Sequence, residues 1–321
     1  MLGIESLQKS FEVYFNHRHF PVFPSTLYDP LEEFLSNSGK RIRPILCLMG
    51  NELFGDIHED AYHIAAAVEL FHNFSLVHDD IMDKAPLRRG KPTVHSVHGE
   101  PTALLGGDVM MVVAYDYINK INSKYIKDVL RLFNKTAKEV CEGQQLDMDF
   151  ETADTVSMDD YIEMIEQKTS VLLAASLQLG AIVGGASENN QDHIYEFGRN
   201  LGIAFQIQDD YLDAFGDPEK FGKQVGGDIK SNKKTFLMIH ALETAKGDLL
   251  LKLNNAIANN PEDKVDQVLS VFKECGIDEW ATKLKESYLD KALKSLEDIA
   301  VMKNRKDPLH ALANYLIVRD K

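Results

Sequence analysis

Two aspartate-rich segments, about half a chain apart, are the residues of this sequence best suited to chemistry. They are Asp79–Asp83 (the first aspartate motif) and Asp209–Asp213 (the second aspartate motif), both of the form DDxxD. Each follows an apolar segment with helical periodicity, and residues four apart in a helix lie on one face. The first and last aspartates of each motif therefore project together, with His72 on the face of the first motif and Gln206 on the face of the second.

Carboxylates held close together at the end of a buried helix repel each other and lose hydration, so they require protons, cationic side chains or metal ions. Oxygen ligands with no cysteine nearby suit Mg²⁺, which typically bridges carboxylates to the phosphates of a substrate. A single motif could be a solvated helix end. The second copy favours a metal-dependent site, and the two could face each other across one cavity.

Basic residues accompany these acids. Arg88 and Arg89 follow the first motif, Lys223 and the pair Lys233-Lys234 follow the second, and Gly39–Pro44 opens another helix with three cations. Arginine binds phosphate oxygens through two parallel hydrogen bonds, and lysine supplies a point charge. Each alone is typical of a protein surface, but together with the acids they indicate a diphosphate site.

Four segments of the chain resemble, in the same order, those of the trans-isoprenyl diphosphate synthases (the polyprenyl synthetase family), of the short-chain geranylgeranyl or farnesyl type. They are SGKRIRP, FHNFSLVHDDIMDKAPLRRGKPTVH, EQKTS and FQIQDDYLDAFGDPEKFGKQVGGDIKSNKKTF. The resemblance covers residues 36 to 236. It implies Mg²⁺-dependent head-to-tail condensation of isopentenyl diphosphate with dimethylallyl, geranyl or farnesyl diphosphate, which gives a C20 or C15 all-trans product and diphosphate.

The resemblance also assigns roles to individual residues. The metal ligands, for three Mg²⁺ ions, are Asp79, Asp83 and Asp209, supported by Asp80, Asp210 and Asp213. The allylic diphosphate is held by Arg88, Lys168, Lys223 and Lys233. Isopentenyl diphosphate is held by Lys40, Arg43, His72 and Arg89.

The resemblance assigns catalytic roles to Lys168, Thr169 and Gln206. The oxygen dipoles of Thr169 and Gln206 would stabilise a developing allylic cation without acting as nucleophiles. The double bond of isopentenyl diphosphate attacks that cation, and the departed diphosphate is the family's usual base.

Helical periodicity dominates the sequence. It predicts helices over about 59–83, 101–122, 125–150, 158–183, 190–214, 234–257, 262–274, 279–302 and 307–319, with no convincing set of alternating strands. Glycine and proline breakers such as Gly184-Gly185 separate them. We therefore expect an all-α chain, a single domain over residues 1–321. Its long antiparallel helices would surround a central cavity, which the resemblance identifies as the isoprenoid synthase fold.

The composition of the chain limits the partners and the cellular location that can be expected for it. A net charge of −15 argues against nucleic acid, because phosphate neutralisation requires clustered cations. Three widely spaced cysteines (Cys47, Cys141 and Cys275) suit reduced thiols rather than disulfides. No apolar run approaches the roughly 20 residues that span a bilayer. We expect a cytoplasmic protein without an integral membrane segment, and the resemblance implies a homodimer.

Product length should depend on the helix of the first motif. Phe74 and Phe71 lie five and eight residues before Asp79, which places them about 7.5 Å and about 12 Å along the helix axis. Bulky aromatic side chains there could close the floor of a product tunnel. By resemblance, Phe74 favours a geranylgeranyl product, whereas Phe71 could close the tunnel sooner and favour farnesyl. Ordinary core packing is the alternative for both residues.

Three other functions are possible. Glu69 and His72 form an ExxH sequence, the spacing of di-iron carboxylate bundles, but no second copy occurs. A class I terpene cyclase shares the first motif but usually carries a different second metal motif. A non-catalytic partner subunit of a prenyltransferase would be expected to have an eroded motif, and both motifs here are complete.

Overall fold

The computed structural model describes residues 2–37, 39–216 and 226–317. The elements in the first half of the chain are α1 Ile4–Phe15, α2 Ser25–Ser36, α3 Ile42–Glu52, α4 Glu59–Met82, β1 Leu87–Arg88, β2 Lys91–Pro92, α5 Val94–His98, α6 Glu100–Ile118 and α7 Ser123–Thr152. The later elements are α8 Met158–Ile165, a π-helix Glu166–Ser170, α9 Val171–Val183, α10 Glu188–Phe215, α11 Gly227–Lys230, α12 Phe236–Thr244, α13 Asp248–Asn259, α14 Lys264–Glu274, α15 Ile277–Asp298, a 3₁₀ turn Lys303–Arg305 and α16 Asp307–Ile317.

The predicted all-α class is confirmed. Strand structure in the described ranges is limited to one antiparallel hairpin, in which β1 pairs with β2 just after the first aspartate motif. Two predicted helices are divided. The segment 158–183 contains a π-helical insert, and the segment 234–257 breaks between Thr244 and Asp248, where Gly247 has a φ of 55°. Helical periodicity does not report such interruptions, because the apolar residues on either side keep helical spacing.

The chain groups into two compact units. The first unit comprises residues 1–135, 175–195 and 300–308, and the second comprises 136–174, 196–299 and 309–321. The prediction of a single domain stays a prediction, as does that of a central cavity. In the described ranges, no helix has both the length and the apolar character needed to cross a bilayer.

The first unit is built around α4, which packs against α3 and α6. The middle of α4 is buried on all sides: the run Ala65–Val68 has no exposed surface. Three consecutive alanines keep this part of the helix thin, so neighbouring helices can approach closely from several directions. The first aspartate motif therefore lies at the end of a helix whose middle is fully buried in this unit.

The second unit has its own core. Tyr161, Ile207, Phe236 and Phe272 are among its fully buried side chains and come from α8, α10, α12 and α14. This core fixes the C-terminal part of α10, which carries the second aspartate motif.

Candidate active site

The first aspartate motif lies at the C-terminal end of α4, as predicted, and Asp83 is the residue that caps this helix. The negative end of the helix dipole is here, so the fold places carboxylates where the backbone already disfavours negative charge. Asp80 is buried, with 1% of its surface exposed, while Asp79 is partly exposed. The local field therefore favours a bound cation at this helix end.

Arg88, in β1, supplies one such cation. Its Nε donates to Asp80 Oδ1 at 2.7 Å and its Nη2 donates to Asp79 Oδ2 at 2.9 Å. The other oxygen of Asp80, Oδ2, is buried without a hydrogen-bond partner among the described residues. Burial raises the pKa of Asp80, and Arg88 opposes that rise. The structure thus pairs a predicted diphosphate ligand with two predicted metal ligands.

Arg43 and His72 are brought together as the sequence indicates. Arg43 Nη1 lies 3.1 Å from His72 Nε2. Burial and the surrounding arginines hold the pKa of His72 well below its ordinary value, so the imidazole is neutral and accepts this hydrogen bond. Burial lowers the pKa of Arg43 to about 10, and its buried Nε lacks a hydrogen-bond partner in the described part of the chain. That buried N–H therefore still requires an acceptor.

Arg89 and Lys40 lie on neighbouring loops. Arg89 has a φ of 53°, and its guanidinium covers Gly39 so closely that a Cβ on the glycine would lie 2.8 Å from Arg89 Cζ. Lys40 is exposed at the next position. Both Arg43 and Arg89 lie close enough to His72 to lower its pKa. These are three of the four residues predicted to hold isopentenyl diphosphate.

Arg41, between these cations, has a structural role. Its Nη1 donates to Glu69 Oε1 at 2.5 Å and its Nη2 donates to the carbonyl of Leu35 at 2.7 Å. Glu69 also accepts from Asn73 Nδ2 at 2.9 Å. The ExxH carboxylate is therefore committed to two side-chain donors, and its histidine is bonded to Arg43. This pairing argues against the di-iron alternative.

In the second unit, Lys168 and Thr169 lie in the π-helical segment Glu166–Ser170. Single-turn π-helical insertions are uncommon and occur frequently at functional sites. Lys168 Nζ donates to Asp147 Oδ2 on α7 at 2.5 Å. The backbones approach closely here: a Cβ on Gly143 would lie 2.2 Å from Lys168 N. Asp147 thus contacts a predicted site residue, and no pattern in the sequence indicated it.

The second aspartate motif contains a buried hydrogen-bond network. Asp210 accepts from Gln206 Nε2 at 3.0 Å and from the hydroxyl of Tyr161, and Thr169 Oγ1 lies 3.5 Å from Gln206 Oε1. Burial raises the pKa of Asp210, while nearby Lys233 and the hydrogen bonds from Tyr161 and Gln206 oppose the rise. The predicted catalytic residues Thr169 and Gln206 are thus neighbours. Tyr161 is the second residue that sequence reasoning missed.

The remaining acids of this motif differ in their surroundings. Asp209 is partly exposed. Asp213 Oδ2 accepts from the backbone N–H of Asp228 at 2.9 Å, which fixes the start of α11. Lys233 is exposed beyond α11, and Lys223 lies outside the described residues. In the ranges that are described, no three histidine, cysteine, aspartate or glutamate side chains converge closely enough to hold a metal ion by themselves.

The comparison with known proteins decides the family. A family model described as polyprenyl synthetase matches residues 24–274 of the chain. The chain belongs to the polyprenyl synthetase family. This confirms the predicted resemblance and, with it, the predicted class of enzyme, a prenyltransferase that makes isoprenyl diphosphates. Enzymes of this family generally depend on Mg²⁺.

Individual relatives of this polyprenyl synthetase agree with that class. It is 38% identical over 93% of its length to the short chain isoprenyl diphosphate synthase of Methanothermobacter thermautotrophicus, of which 92% is covered. It is 36% identical to the geranylgeranyl diphosphate synthase of Saccharolobus solfataricus, with both chains fully covered. These relatives are synthases, so they lend no support to the terpene cyclase or the partner subunit.

Solved structures confirm the fold. A crystal structure of a geranylgeranyl pyrophosphate synthase matches with a TM-score of 0.93, 43% identity and full coverage of both chains. The geranylgeranyl pyrophosphate synthetase of Pyrococcus horikoshii matches with a TM-score of 0.91, 33% identity and 98% coverage of each chain. The isoprenoid synthase fold predicted from the motifs is therefore correct.

Phe71 and Phe74 occupy different environments on α4 of the synthase. Phe71 is 1% exposed and packs edge-on against Phe133, with ring centroids 5.4 Å apart. Phe74 is only partly buried, and its ring lies 4.8 Å from that of His78 and 5.6 Å from that of Phe71. Core packing accounts for Phe71 more fully than for Phe74. The assignment of a tunnel floor stays a prediction for both.

Proposed function

We propose that this synthase forms geranylgeranyl diphosphate, a C20 product, by Mg²⁺-dependent condensation of isopentenyl diphosphate with allylic diphosphates. The observation that carries the proposal is the pairing of Arg88 with the buried end of the first aspartate motif. Two carboxylates bridged by one arginine keep a net charge of −1, so the pair can accept a divalent cation while the arginine binds the diphosphate that comes with it. Geranylgeranyl synthases among the relatives support the C20 product.

The acid residues fit Mg²⁺ as the cofactor. The proposed ligands are Asp79, Asp83 and Asp209, for three ions in total, with the other three aspartates of the motifs as supporting residues. The buried, unpartnered Oδ2 of Asp80 supports this assignment, since such an oxygen requires a donor or a cation. When bound, Mg²⁺ supplies charge neutralisation for a departing diphosphate and for the carboxylates themselves.

Cationic side chains of the chain hold the allylic diphosphate. Arg88, Lys168 and Lys233 are the proposed contacts among the described residues, and Lys223 is a fourth. Arg88 has two N–H groups pointed at carboxylate oxygens, the same geometry that binds two phosphate oxygens. Lys168 is aimed by Asp147, so its ammonium reaches a fixed point rather than sampling many rotamers. These contacts stabilise negative charge as it develops on the leaving group.

Isopentenyl diphosphate keeps its diphosphate and needs a separate anion site. Lys40, Arg43 and Arg89 are the proposed cations, with His72 as a neutral partner. The buried Nε of Arg43 lacks a hydrogen-bond partner in the described ranges, which supports its use by a phosphate oxygen. Neutral His72 accepts from Arg43 and thereby fixes the guanidinium orientation. The site holds the double bond still for attack on the allylic carbon.

Thr169 and Gln206 are the proposed stabilisers of the allylic cation. Both present side-chain oxygens, and Gln206 is oriented by the hydrogen bond from its Nε2 to Asp210. The amide Nε2 is bonded to Asp210, and its Oε1, which lies 3.5 Å from Thr169 Oγ1, is the oxygen proposed to face the cation. Fixed oxygen dipoles stabilise a developing positive charge without forming a bond to it.

Product length is proposed to be set at α4. Phe74, partly buried and closer to the first motif, is the residue that supports a C20 product. Farnesyl diphosphate, C15, is the alternative, and Phe71 would be its determinant. Homodimerisation and a cytoplasmic location are further proposals. The dimer is supported by the apolar surface of α6, where Leu104, Leu105 and Val112 are 51%, 56% and 60% exposed.

The test is incubation with labelled isopentenyl diphosphate and, in turn, dimethylallyl, geranyl and farnesyl diphosphate, with Mg²⁺ or with a chelator. We expect a C20 product from each primer and none with the chelator. Asp79→Asn should abolish incorporation, whereas Asp116→Asn, an exposed position on α6, should leave it unchanged. If none of the three primers supports incorporation of label, the proposal is refuted. A predominantly C15 product would favour the alternative.

A further inference from the structure

A cluster of two histidines and a tyrosine lies away from the residues of the synthase reaction, in the first unit. His17 and His19 are in the connection between α1 and α2, and Tyr117 is near the end of α6. His17 Nε2 and His19 Nδ1 each lie 2.9 Å from the same atom, Tyr117 Oη. The two imidazole rings are 4.6 Å apart between centroids. Three polar atoms from two separate parts of the chain thus converge.

The other nitrogen of each imidazole fixes its tautomer. His17 Nδ1 lies 3.0 Å from the carbonyl oxygen of Tyr14, and His19 Nε2 lies 3.0 Å from the carbonyl oxygen of Phe15. A carbonyl oxygen only accepts, so these two nitrogens carry the N–H groups. A neutral imidazole has one N–H, which leaves a lone pair on the nitrogen that faces Tyr117 in each ring.

This arrangement leaves one of the two contacts to Tyr117 without a proton. A phenol has a single O–H and can donate to one imidazole only. The second nitrogen then points a lone pair at the phenol oxygen across 2.9 Å. Either a proton on the exposed His17 or a metal cation between the three atoms removes the conflict. Two nitrogen lone pairs and a phenol oxygen are all ligands for a metal cation.

We propose that His17 Nε2, His19 Nδ1 and Tyr117 Oη form a binding site for a divalent transition metal of tetragonal preference, Ni²⁺ or Cu²⁺. With ligand bonds of about 2.0–2.1 Å, a separation of 2.9 Å between ligand atoms corresponds to an angle at the metal of about 90°. That is the angle of square-planar or octahedral coordination, which Ni²⁺ and Cu²⁺ adopt with nitrogen and oxygen ligands. A tetrahedral ion such as Zn²⁺ would need a wider separation.

The surroundings suit a metal ligand set. Histidines that bind metals almost always donate their other N–H to a carbonyl or carboxylate, as both of these do. Burial, with smaller contributions from neighbouring cations, lowers the pKa of His19 to about 4, which keeps its lone pair available at neutral pH. Metal binding would release the phenol proton of Tyr117 to solvent.

Charge and access also bear on this site. Burial raises the pKa of Tyr117, and Tyr14 and Glu32 add to the rise, so the phenol is neutral without a bound cation. Glu32 Oε1 accepts the backbone N–H groups of His19 and Phe20 at 2.7 Å and 2.9 Å. A dication, a phenolate and this carboxylate sum to zero charge. Lys120 Nζ lies 3.8 Å from the centroid of the Tyr117 ring. Ionisation of this phenol would therefore be driven by the bound dication. His17, His19 and Glu32 line an open cleft, which gives an ion a route from solvent.

The test is calorimetric titration of the untagged, full-length chain with Ni²⁺ in excess Mg²⁺, which keeps the aspartate motifs occupied. Ni²⁺ is the probe because Cu²⁺ could oxidise the exposed thiol of Cys141. The variants are His17→Gln, His19→Gln and Tyr117→Phe. His98→Gln, at an exposed histidine on α5, is the matched control. Far-UV circular dichroism without metal establishes that each variant is folded.

We expect one saturable site per chain, weakened by more than about tenfold in each histidine variant and unchanged in His98→Gln. Wild type should also show a tyrosinate difference band in the ultraviolet on adding Ni²⁺, and Tyr117→Phe should lose it while remaining folded. The absence of saturable binding by the wild type would overturn the proposal. So would an affinity that is unchanged in both His17→Gln and His19→Gln.

Discussion

Lys168 Nζ donates to Asp147 Oδ2 at 2.5 Å, joining the π-helical segment Glu166–Ser170 to α7. A lysine ammonium on a four-carbon stem has many rotamers, and this hydrogen bond selects one. The position of a predicted diphosphate ligand therefore depends on a carboxylate that takes no part in the predicted motifs.

Replacing Asp147 by Asn should reduce the activity of the synthase without unfolding it. Hydrogen bonds to charged groups contribute about 1.5–3 kcal/mol, so we expect kcat/KM for the allylic diphosphate to fall about 10- to 100-fold. Steady-state kinetics with each variant measures this. Asp149→Asn, two residues along the same helix and exposed, should behave as wild type. A rise in kcat/KM would mean instead that Asp147 competes with the substrate for Lys168.

Replacing Tyr161 by Phe should shift the pH dependence of the reaction. The hydrogen bond from Tyr161 lowers the pKa of Asp210 against the burial that raises it. Its loss raises that pKa further, so protons should compete with Mg²⁺ at higher pH. We expect the acid limb of the kcat/KM profile, measured in excess Mg²⁺, to move to higher pH.

Tyr315→Phe is the matched control, since Tyr315 is 49% exposed. Thermal unfolding of both variants measures the loss in free energy of unfolding. We expect a loss of about 1–3 kcal/mol for Tyr161→Phe, because a buried carboxylate loses a hydrogen-bond donor. An acid limb that stays in place in a folded Tyr161→Phe protein would contradict the role given to this hydrogen bond.

Adding a methyl group at Gly143 should disturb the π-helical segment directly. A Cβ there would lie 2.2 Å from Lys168 N and 2.7 Å from Gln167 C, and backbone atoms cannot turn aside as a side chain can. We expect Gly143→Ala to lower the free energy of unfolding by about 1–3 kcal/mol and to reduce activity with it. Denaturant unfolding and the condensation assay measure the two effects.

Gly55→Ala provides the comparison, because nothing lies within 4 Å of a Cβ at that position. Gly55→Ala should leave the free energy of unfolding unchanged or raise it by up to about 1 kcal/mol, because alanine reduces the conformational entropy of the unfolded chain. If Gly143→Ala were as stable and active as Gly55→Ala, the close approach of α7 to the π-helical segment would not matter.

The sequence predicted the helices and the location of both aspartate motifs because these depend on local periodicity. An apolar run of helical spacing that ends in DDxxD predicts that its acids lie at the end of a helix. The structure adds pairings between elements, which spacing does not encode. Arg88 binds Asp79 and Asp80 because the β1–β2 hairpin turns it back towards α4, and that hairpin is too short to leave an alternating pattern.

Asp147 and Tyr161 were missed for related reasons. Asp147 shares its helix with Asp149, and no pattern in the sequence tells which of the two meets Lys168. Tyr161 has the spacing of an ordinary core residue on α8, and its hydroxyl matters only because Asp210 is buried beside it. The glycine at 143 was a usable signal, since a glycine within a long helix often marks a close approach of backbones.

Replacing Phe74 by Ala should lengthen the product. Phe74 is partly buried and lies about 7.5 Å along α4 from Asp79, so its removal opens space in the direction expected for the growing chain. Phe71→Ala should lengthen the product too if Phe71 also belongs to the floor. Phe71 is 1% exposed, however, and Phe→Ala in a core costs about 3–5 kcal/mol, so Phe71→Leu is the cleaner test of that position.

Phe133→Leu separates tunnel effects from core effects, because Phe133 contacts Phe71 from α7, with ring centroids 5.4 Å apart. Chromatography of the products made from labelled isopentenyl diphosphate gives the distribution for each variant. We expect products longer than C20 from Phe74→Ala and a wild-type distribution from Phe133→Leu. If Phe74→Ala leaves the distribution unchanged while Phe71→Leu lengthens it, the floor lies at Phe71. If neither variant changes it, α4 does not limit the product.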